Sequence, residues 1–265
     1  MSTMRVWVHG VGLLGPGMNS WPASAPMLTG SQAYAPAATV LPMPSRLPPA
    51  ERRRAGAAVK LALAIADEAV VQAQVDAATL ATVFTSSSGE GMNCHMLCET
   101  LATPAPMISP TRFTNSVHNA ASGCWHIAVG SRAASTSLCA FDGSFGAGLI
   151  EAATSVQLGA QPMLLVASDS PYPEPLHATR PLPDHFGIAL LLAPAPTERA
   201  LASLTIALID AQPAVSRCSD AALDALRRVI PAAAALPLLI ALAQRTPQRI
   251  VLDYLPTTRL QIDIA

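Results

Sequence analysis

The chain has 265 residues, 51% hydrophobic and 12% charged, with a formal net charge of −1. That composition excludes a disordered polar tail and leaves no global field to draw the chain to nucleic acid or an anionic membrane surface. A mean hydropathy of +0.38 in a chain with no visible anchor predicts a large apolar subunit interface. Residues 1–8 hold one arginine and no apolar stretch of a signal peptide. The longest uncharged apolar run, 229–243, is short for a membrane span and carries Pro231 and Pro237. Cys94, Cys98, Cys124, Cys139 and Cys218 form an odd set without scaffold spacing. They read as reduced thiols of a cytoplasmic protein.

In chain order, residues 5–11 alternate valine and tryptophan and break at Gly10, Gly12 and Gly15, which predicts a first strand. Residues 21–49 are rich in proline and predict a long irregular segment. An Ala- and Leu-rich helix is expected over 50–73, with Glu51 in its first turn. A short strand over 82–85 leads into Ser86–Gly89, then helices over 90–101 and 116–129. A strand over 134–141 and a helix over 143–158 follow. Residues 163–167 and 186–192 are apolar throughout, as strands buried on both faces are. A strand over 201–209, a helix capped by Ser219, and closing strands over 249–255 and 260–264 complete the series. Strands alternating with helices around apolar central strands predict a layered α/β protein of one domain, residues 1–265.

The motifs are few. Gly10, Gly12 and Gly15 spell GxGxxG after a strand, but Pro16, Gly17, Asn19 and Pro22 follow where a dinucleotide site needs a helix N-terminus. The glycines therefore read as turn chemistry, with no cofactor. Cys94, His95 and Cys98 lack a second pair at zinc spacing, so no metal site is expected. Asp142, Gly143 and Ser144 stand where a strand enters a helix. Asp142 there reads first as an N-cap, and second as an occupant of the nucleophile position of an acyl-transfer enzyme, with Cys139 three residues upstream. His118 reads as a structural histidine or a base, and no local spacing pairs it with a nucleophile.

The order of these pieces resembles the N-terminal half of the β-ketoacyl synthases. The matching strings are Val6–His9–Gly10–Val11–Gly12–Leu13–Leu14–Gly15–Pro16 and Phe84–Thr85–Ser86–Ser87–Ser88–Gly89–Glu90–Gly91. Then come Ser109–Pro110–Thr111–Arg112–Phe113, Ser116–Val117–His118–Asn119–Ala120–Ala121–Ser122–Gly123, and Ser135–Thr136–Ser137–Leu138–Cys139. The likeness runs over 4–193 and fades in 194–265, which reads as a reduced C-terminal part. It is nearest to the short ketosynthase-like subunits that accompany aryl polyene synthases. The resemblance implies a thiolase-like fold, truncated relative to a full ketosynthase.

A working enzyme of that family carries Cys at the strand–helix corner and two later histidines in Gly-Thr-Gly-Thr and Gly-Gly-His-Asn contexts. Here the last histidine is His185, and neither motif is present. An ungapped register back from Gly159 places Asp142 at the nucleophile position, whereas the string Ser135–Cys139 places Cys139 there. In the ungapped register no acyl-enzyme is expected, because a carboxylate makes no thioester.

The resemblance then implies a catalytically silent, chain-length-factor-type subunit. It would form a heterodimer with a full-length ketosynthase and act on chains held by an acyl carrier protein. The strand 134–141 would meet its counterpart across the dimer. Ser116, Val117, His118, Asn119 and Trp125 would line or cap the acyl tunnel, beside Ser135, Thr136, Ser137 and Leu138. Two other readings remain: a self-sufficient enzyme using Cys139 with His118 as base, and a scaffold that binds carrier protein. The run Arg52, Arg53, Arg54 is the candidate docking patch for that acidic partner.

Overall fold

A computed structural model describes residues 3–87 and 89–265, so Ser88 of the glycine-flanked string lies outside the described residues. Eight strands form one mixed sheet: β1 (Met4–Leu14), β2 (Ala81–Thr85), β3 (Ser135–Leu138), β4 (Met163–Asp169), β5 (Phe186–Ala193), β6 (Ala202–Asp210), β7 (Gln248–Leu255) and β8 (Thr258–Ile264). The spatial order is β3-β2-β4-β5-β1-β6-β8-β7. β2 pairs in parallel with both β3 and β4, and the remaining pairs are antiparallel.

Side-chain alternation divides the sheet between two cores. Val83, Leu165, Ala167, Ile188 and Leu190 face one core, beneath α7 (Ser144–Gly159), a 3-10 turn at Pro231–Ala235 and α10 (Leu236–Gln244). Phe84, Leu164, Val166, Ala189 and Leu191 face the other, beneath α3 (Ala57–Ala73) and α6 (Ala120–Val129). Both faces are covered, which is why β4 and β5 are apolar throughout.

The three glycines of the first strand serve packing. A Cβ on Gly10 would stand 2.1 Å from the Ala69 carbonyl oxygen, and one on Gly12 would stand 1.9 Å from that of Ile65. Only glycine lets α3 lie this close to β1. β1 pairs with β6 only over Met4–Val8. Beyond that point the Val11 and Leu13 amides donate to Gln72 and Glu68 of α3 instead (2.7 and 2.8 Å). Glu68 also accepts from the Trp21 amide, so one half-buried helix face completes the strand's backbone bonding.

Several expectations are corrected. The segment after β1 is not irregular throughout: α1 (Trp21–Leu28) forms there, with Ser20 as its N-cap accepting from the Ala23 amide and Pro22 in its first turn. The helix expected over 50–73 is two, α2 (Pro49–Arg54) and α3, separated by an extended Ala55 and Gly56. The helix expected over 90–101 is α4 (Gly91–Leu101). The helix expected over 116–129 starts only at Ala120, and a short α5 (Pro110–Thr114) precedes it.

The strand expected over 134–141 ends at Leu138, where the chain turns through a 3-10 turn at Phe141–Gly143. A short α8 (Leu176–Thr179) lies before β5. α9 (Ala221–Val229) is capped by Asp220, not Ser219, because the Asp220 carboxylate reaches the Ala222 and Leu223 amides. No helix among the described residues is long and apolar enough to cross a membrane.

Candidate functional site

The corner between β3 and α7 holds the residues singled out from the sequence. Its path is fixed by Ser144. The Ser144 hydroxyl donates to the Phe141 carbonyl (2.7 Å) and accepts from the Ala140 amide (3.0 Å). Thr85 at the end of β2 donates to the Ser144 carbonyl (2.9 Å). Phe141 takes a left-handed backbone, φ +51, in which a non-glycine residue is strained. The corner is backed by the C-terminal hairpin. A Cβ on Gly143 would stand 2.9 Å from the Tyr254 carbonyl oxygen, and one on Gly146 3.0 Å from the Tyr254 ring.

Asp142 does not cap α7. Gly143 occupies the cap position, and no side chain caps the helix there. The Asp142 carboxylate turns outward to Arg180 at the end of α8 (2.5 Å). The Arg180 guanidinium also lies 3.6 Å over the Phe141 ring and 5.7 Å from the Tyr172 ring. Helix formation needs no help from Asp142 because Ser144 already closes the turn.

Cys139 and His118 come together, which their spacing in the chain does not reveal. Sγ stands 3.9 Å from His118 Nδ1. β3 carries the cysteine to the corner, and the turn before α6 brings the histidine across it. Burial is the main cause that pushes the Cys139 thiol up from its ordinary value, and the Asp169 carboxylate adds to it; a hydrogen bond with Ser86 opposes them. A raised pKa disfavours the thiolate at this position. Asp169, fully buried at the end of β4, accepts from the Ser87 amide and the Ala232 amide (both 2.7 Å) and so ties the corner to the C-terminal segment. Burial raises its pKa despite those bonds.

Val117, His118, Ser137 and Leu138 line one small space beside the corner, together with Phe84, Ser122 and Glu90. Ser116 and Asn119 are exposed on the turn before α6. Ser135 and Thr136 are exposed on β3, whose only sheet partner among the described residues is β2. Ser135 is anchored by hydroxyl contacts with Thr82 and Ser122, 2.8 Å each. Trp125 is fully buried in the core against α3. It borders a different cleft, with Pro42, Pro44, Leu63 and Ala128. Sequence reasoning missed Arg180, and no local signal marks it, because its partners come from the corner 38 residues upstream. Among the described residues no group of three His, Cys, Asp or Glu is placed to hold a metal ion.

A one-sheet α/β fold whose β3–α7 corner lies beside a parallel edge strand defines a thiolase-like fold. The family profile of the β-ketoacyl synthase N-terminal domain matches residues 25–236, and the chain belongs to that family. No curated protein matches the chain. Among solved structures, it is similar to a chain in a ketosynthase in complex with its chain length factor from Xenorhabdus doucetiae. That match has a TM-score of 0.73 and 22% identity, covering 98% of this chain and 99% of that one. A chain of the ishigamide ketosynthase/chain length factor matches with a TM-score of 0.73 at 15% identity, over 98% and 99% of the two chains. The ketosynthase from module 1 of the bacillaene synthase of Bacillus amyloliquefaciens matches with a TM-score of 0.58 at 14% identity. There the match covers 85% of this chain but 50% of that one, so this chain spans about half the length of that ketosynthase.

Proposed function

We propose that this chain is a non-catalytic, chain-length-factor-type subunit. It pairs with a full-length β-ketoacyl-[acyl carrier protein] synthase, and that partner performs the decarboxylative condensation on carrier-bound chains. The observation that carries this reading is the corner itself. Its carboxylate, Asp142, is held by Arg180, and burial raises the pKa of its nearest thiol. A carboxylate forms no stable thioester, and a thiol whose pKa is raised is the weaker nucleophile at neutral pH.

The surface supports pairing. Among the described residues β3 leaves one edge open, which invites a strand from a partner. Met107, Ile108, Phe113, Val117 and Phe141 are large, apolar and exposed, side chains that a partner could cover. The full-length matches come from ketosynthase/chain length factor structures, which favours this pairing over a scaffold role. Arg52, Arg53 and Arg54 on α2 are the docking patch for the acidic carrier protein. Arg52 is committed to the Ser45 and Leu47 carbonyls and Arg54 lies 3.4 Å from the Glu51 carboxylate, so Arg53 is the arginine of the run best placed for that contact.

The second reading, an enzyme built on Cys139 and His118, is favoured by their 3.9 Å approach. Intact mass decides between them. The chain is incubated with carrier protein bearing a long acyl group, alone and together with its cognate ketosynthase. An adduct confined to the ketosynthase, with the two subunits eluting as one complex, supports the silent subunit. An adduct on this chain that is lost in Cys139→Ser overturns it.

A further inference from the structure

A broad cleft of about 880 Å³ lies between the segment before α9, α9 itself and the C-terminal hairpin. Its floor is apolar, made by Val215, Ile230, Pro231, Ala234 and Leu252. Four arginines line it: Arg217 ahead of α9, Arg227 and Arg228 in the last turn of α9, and Arg259 on β8. Asp142 borders it too, so the cleft abuts the β3–α7 corner.

The carboxylates present do not balance these charges. Asp142 is taken by Arg180. Asp224 serves both Arg227 (2.7 Å) and Arg228 (3.4 Å), and Asp253 lies 3.5 Å from Arg259. Asp220 accepts from the Ala222 and Leu223 amides and does not line the cleft. Arg217 is exposed and has neither an ion pair nor a hydrogen bond among the described residues. Five arginines therefore stand against three aspartates, in a chain of net charge −1. Like charges gathered in this way repel, and an anion in the cleft relieves that cost.

The donors are open to an incoming group. Arg227 and Arg228 reach Asp224 through Nε, and the terminal nitrogens of both have no hydrogen-bond partner among the described residues. The Arg228 side chain is 64% exposed. Arg259 donates through Nη1 to the Pro213 carbonyl, which leaves Nη2. A guanidinium fork matches the oxygens of a phosphate. Forks from three chain segments suit the three terminal oxygens of a tetrahedral group better than the two of a planar carboxylate. The volume is that of a small-molecule site, more than a bare ion needs, and the apolar floor suits an organic substituent. A phosphate monoester brings about 1.5 to 2 negative charges at pH 7, which matches the surplus; a diester brings one.

We propose that this cleft is a binding site for an organic phosphate monoester. Its phosphate lies among Arg217, Arg228 and Arg259, and its organic group lies on the floor between Val215 and Leu252. The site stands whether or not the chain is a chain-length-factor-type subunit.

Titration calorimetry on the full chain tests this with phenyl phosphate, methyl phenyl phosphate, phenol and inorganic phosphate. Phenyl phosphate should bind about tenfold more tightly than each of the other three. The diester stands for a phosphate that bridges to a tethered arm, phenol for the floor alone and inorganic phosphate for the arginines alone. Arg217→Ala and Arg228→Ala change exposed side chains, should keep the wild-type melting temperature, and should each weaken phenyl phosphate about tenfold. Arg132→Ala, before β3 and outside the cleft, should leave its affinity unchanged. No binding of phenyl phosphate at about 10 mM overturns the proposal. So does equal affinity for the diester or for inorganic phosphate, binding that survives both cleft substitutions, or an equal loss in Arg132→Ala, which marks a diffuse ionic effect.

Discussion

At the scale of single residues, the corner separates groups that look alike in sequence. Asp142 and Asp169 are both acids near a strand end, yet one is exposed and paired with Arg180 while the other is buried and takes backbone amides. The Asp142–Arg180 pair is open to solvent on the acid's side (71% exposed), so its loss costs little. Asp142→Asn should therefore leave turnover of the reconstituted complex within about twofold and the melting temperature nearly unchanged, as read by steady-state kinetics and calorimetry. Cys139 should alkylate no faster than a free model thiol at neutral pH, because its pKa is raised. A rate well above that of the model thiol, falling in His118→Ala, would show that the histidine activates it. The sequence offers this pair only as an alternative reading, because 21 residues separate its members and it takes β3 and the turn before α6 to bring them together.

At the scale of elements, strands were the most legible. The apolar runs of β4 and β5 identify themselves because both faces are covered. Helix boundaries were less so, because breaks depend on what packs against them. Gly56 interrupts an Ala- and Leu-rich stretch for the carboxyl of Glu90, which lies 34 residues further on. Asp220 replaces Ser219 as a cap by one residue, a difference that propensity does not resolve.

The β1–α3 contact is the element most sensitive to volume. Gly12→Ala should destabilise the chain by about 3 kcal/mol, since the new methyl would meet backbone at 1.9 Å. Gly123→Ala in α6, where nothing lies within 4 Å, should stabilise it by up to ~1 kcal/mol. Urea unfolding reads both. At the sheet edge, Thr136→Pro should abolish co-elution with the ketosynthase if β3 pairs across the interface.

At the scale of the whole molecule, buried acids set a pH dependence. Burial is the largest cause raising the Glu68 pKa above its ordinary 4.5, against the Leu13 and Trp21 amides that lower it. Its folded value lies above its unfolded one, so its stabilising share is complete below 4.5 and is lost as pH rises through the raised value. The stability of wild type minus that of Glu68→Gln should therefore fall as pH rises through that range, as followed by urea midpoints. A difference that grows with pH would contradict the burial of this carboxyl. Glu90 and Asp169 are raised in the same sense. Asp224 is held down chiefly by its Arg227 hydrogen bond, and its share is lost only as pH falls below 3.8 through the lowered value.

The sequence by itself determined the α/β class, the eight strands and the absence of the later histidine motifs, because hydrophobic period and motif presence are local properties. Tertiary structure decided the rest. The first-strand glycines are spacers for α3, because two backbones meet there. Asp142 is pinned by Arg180, Cys139 meets His118, and Tyr254 in the C-terminal hairpin closes the corner from behind. Glu90 lies at a helix break, against Gly56. Each of these joins residues distant in the chain, and only the register of the sheet and the layers upon it sets which distant groups meet.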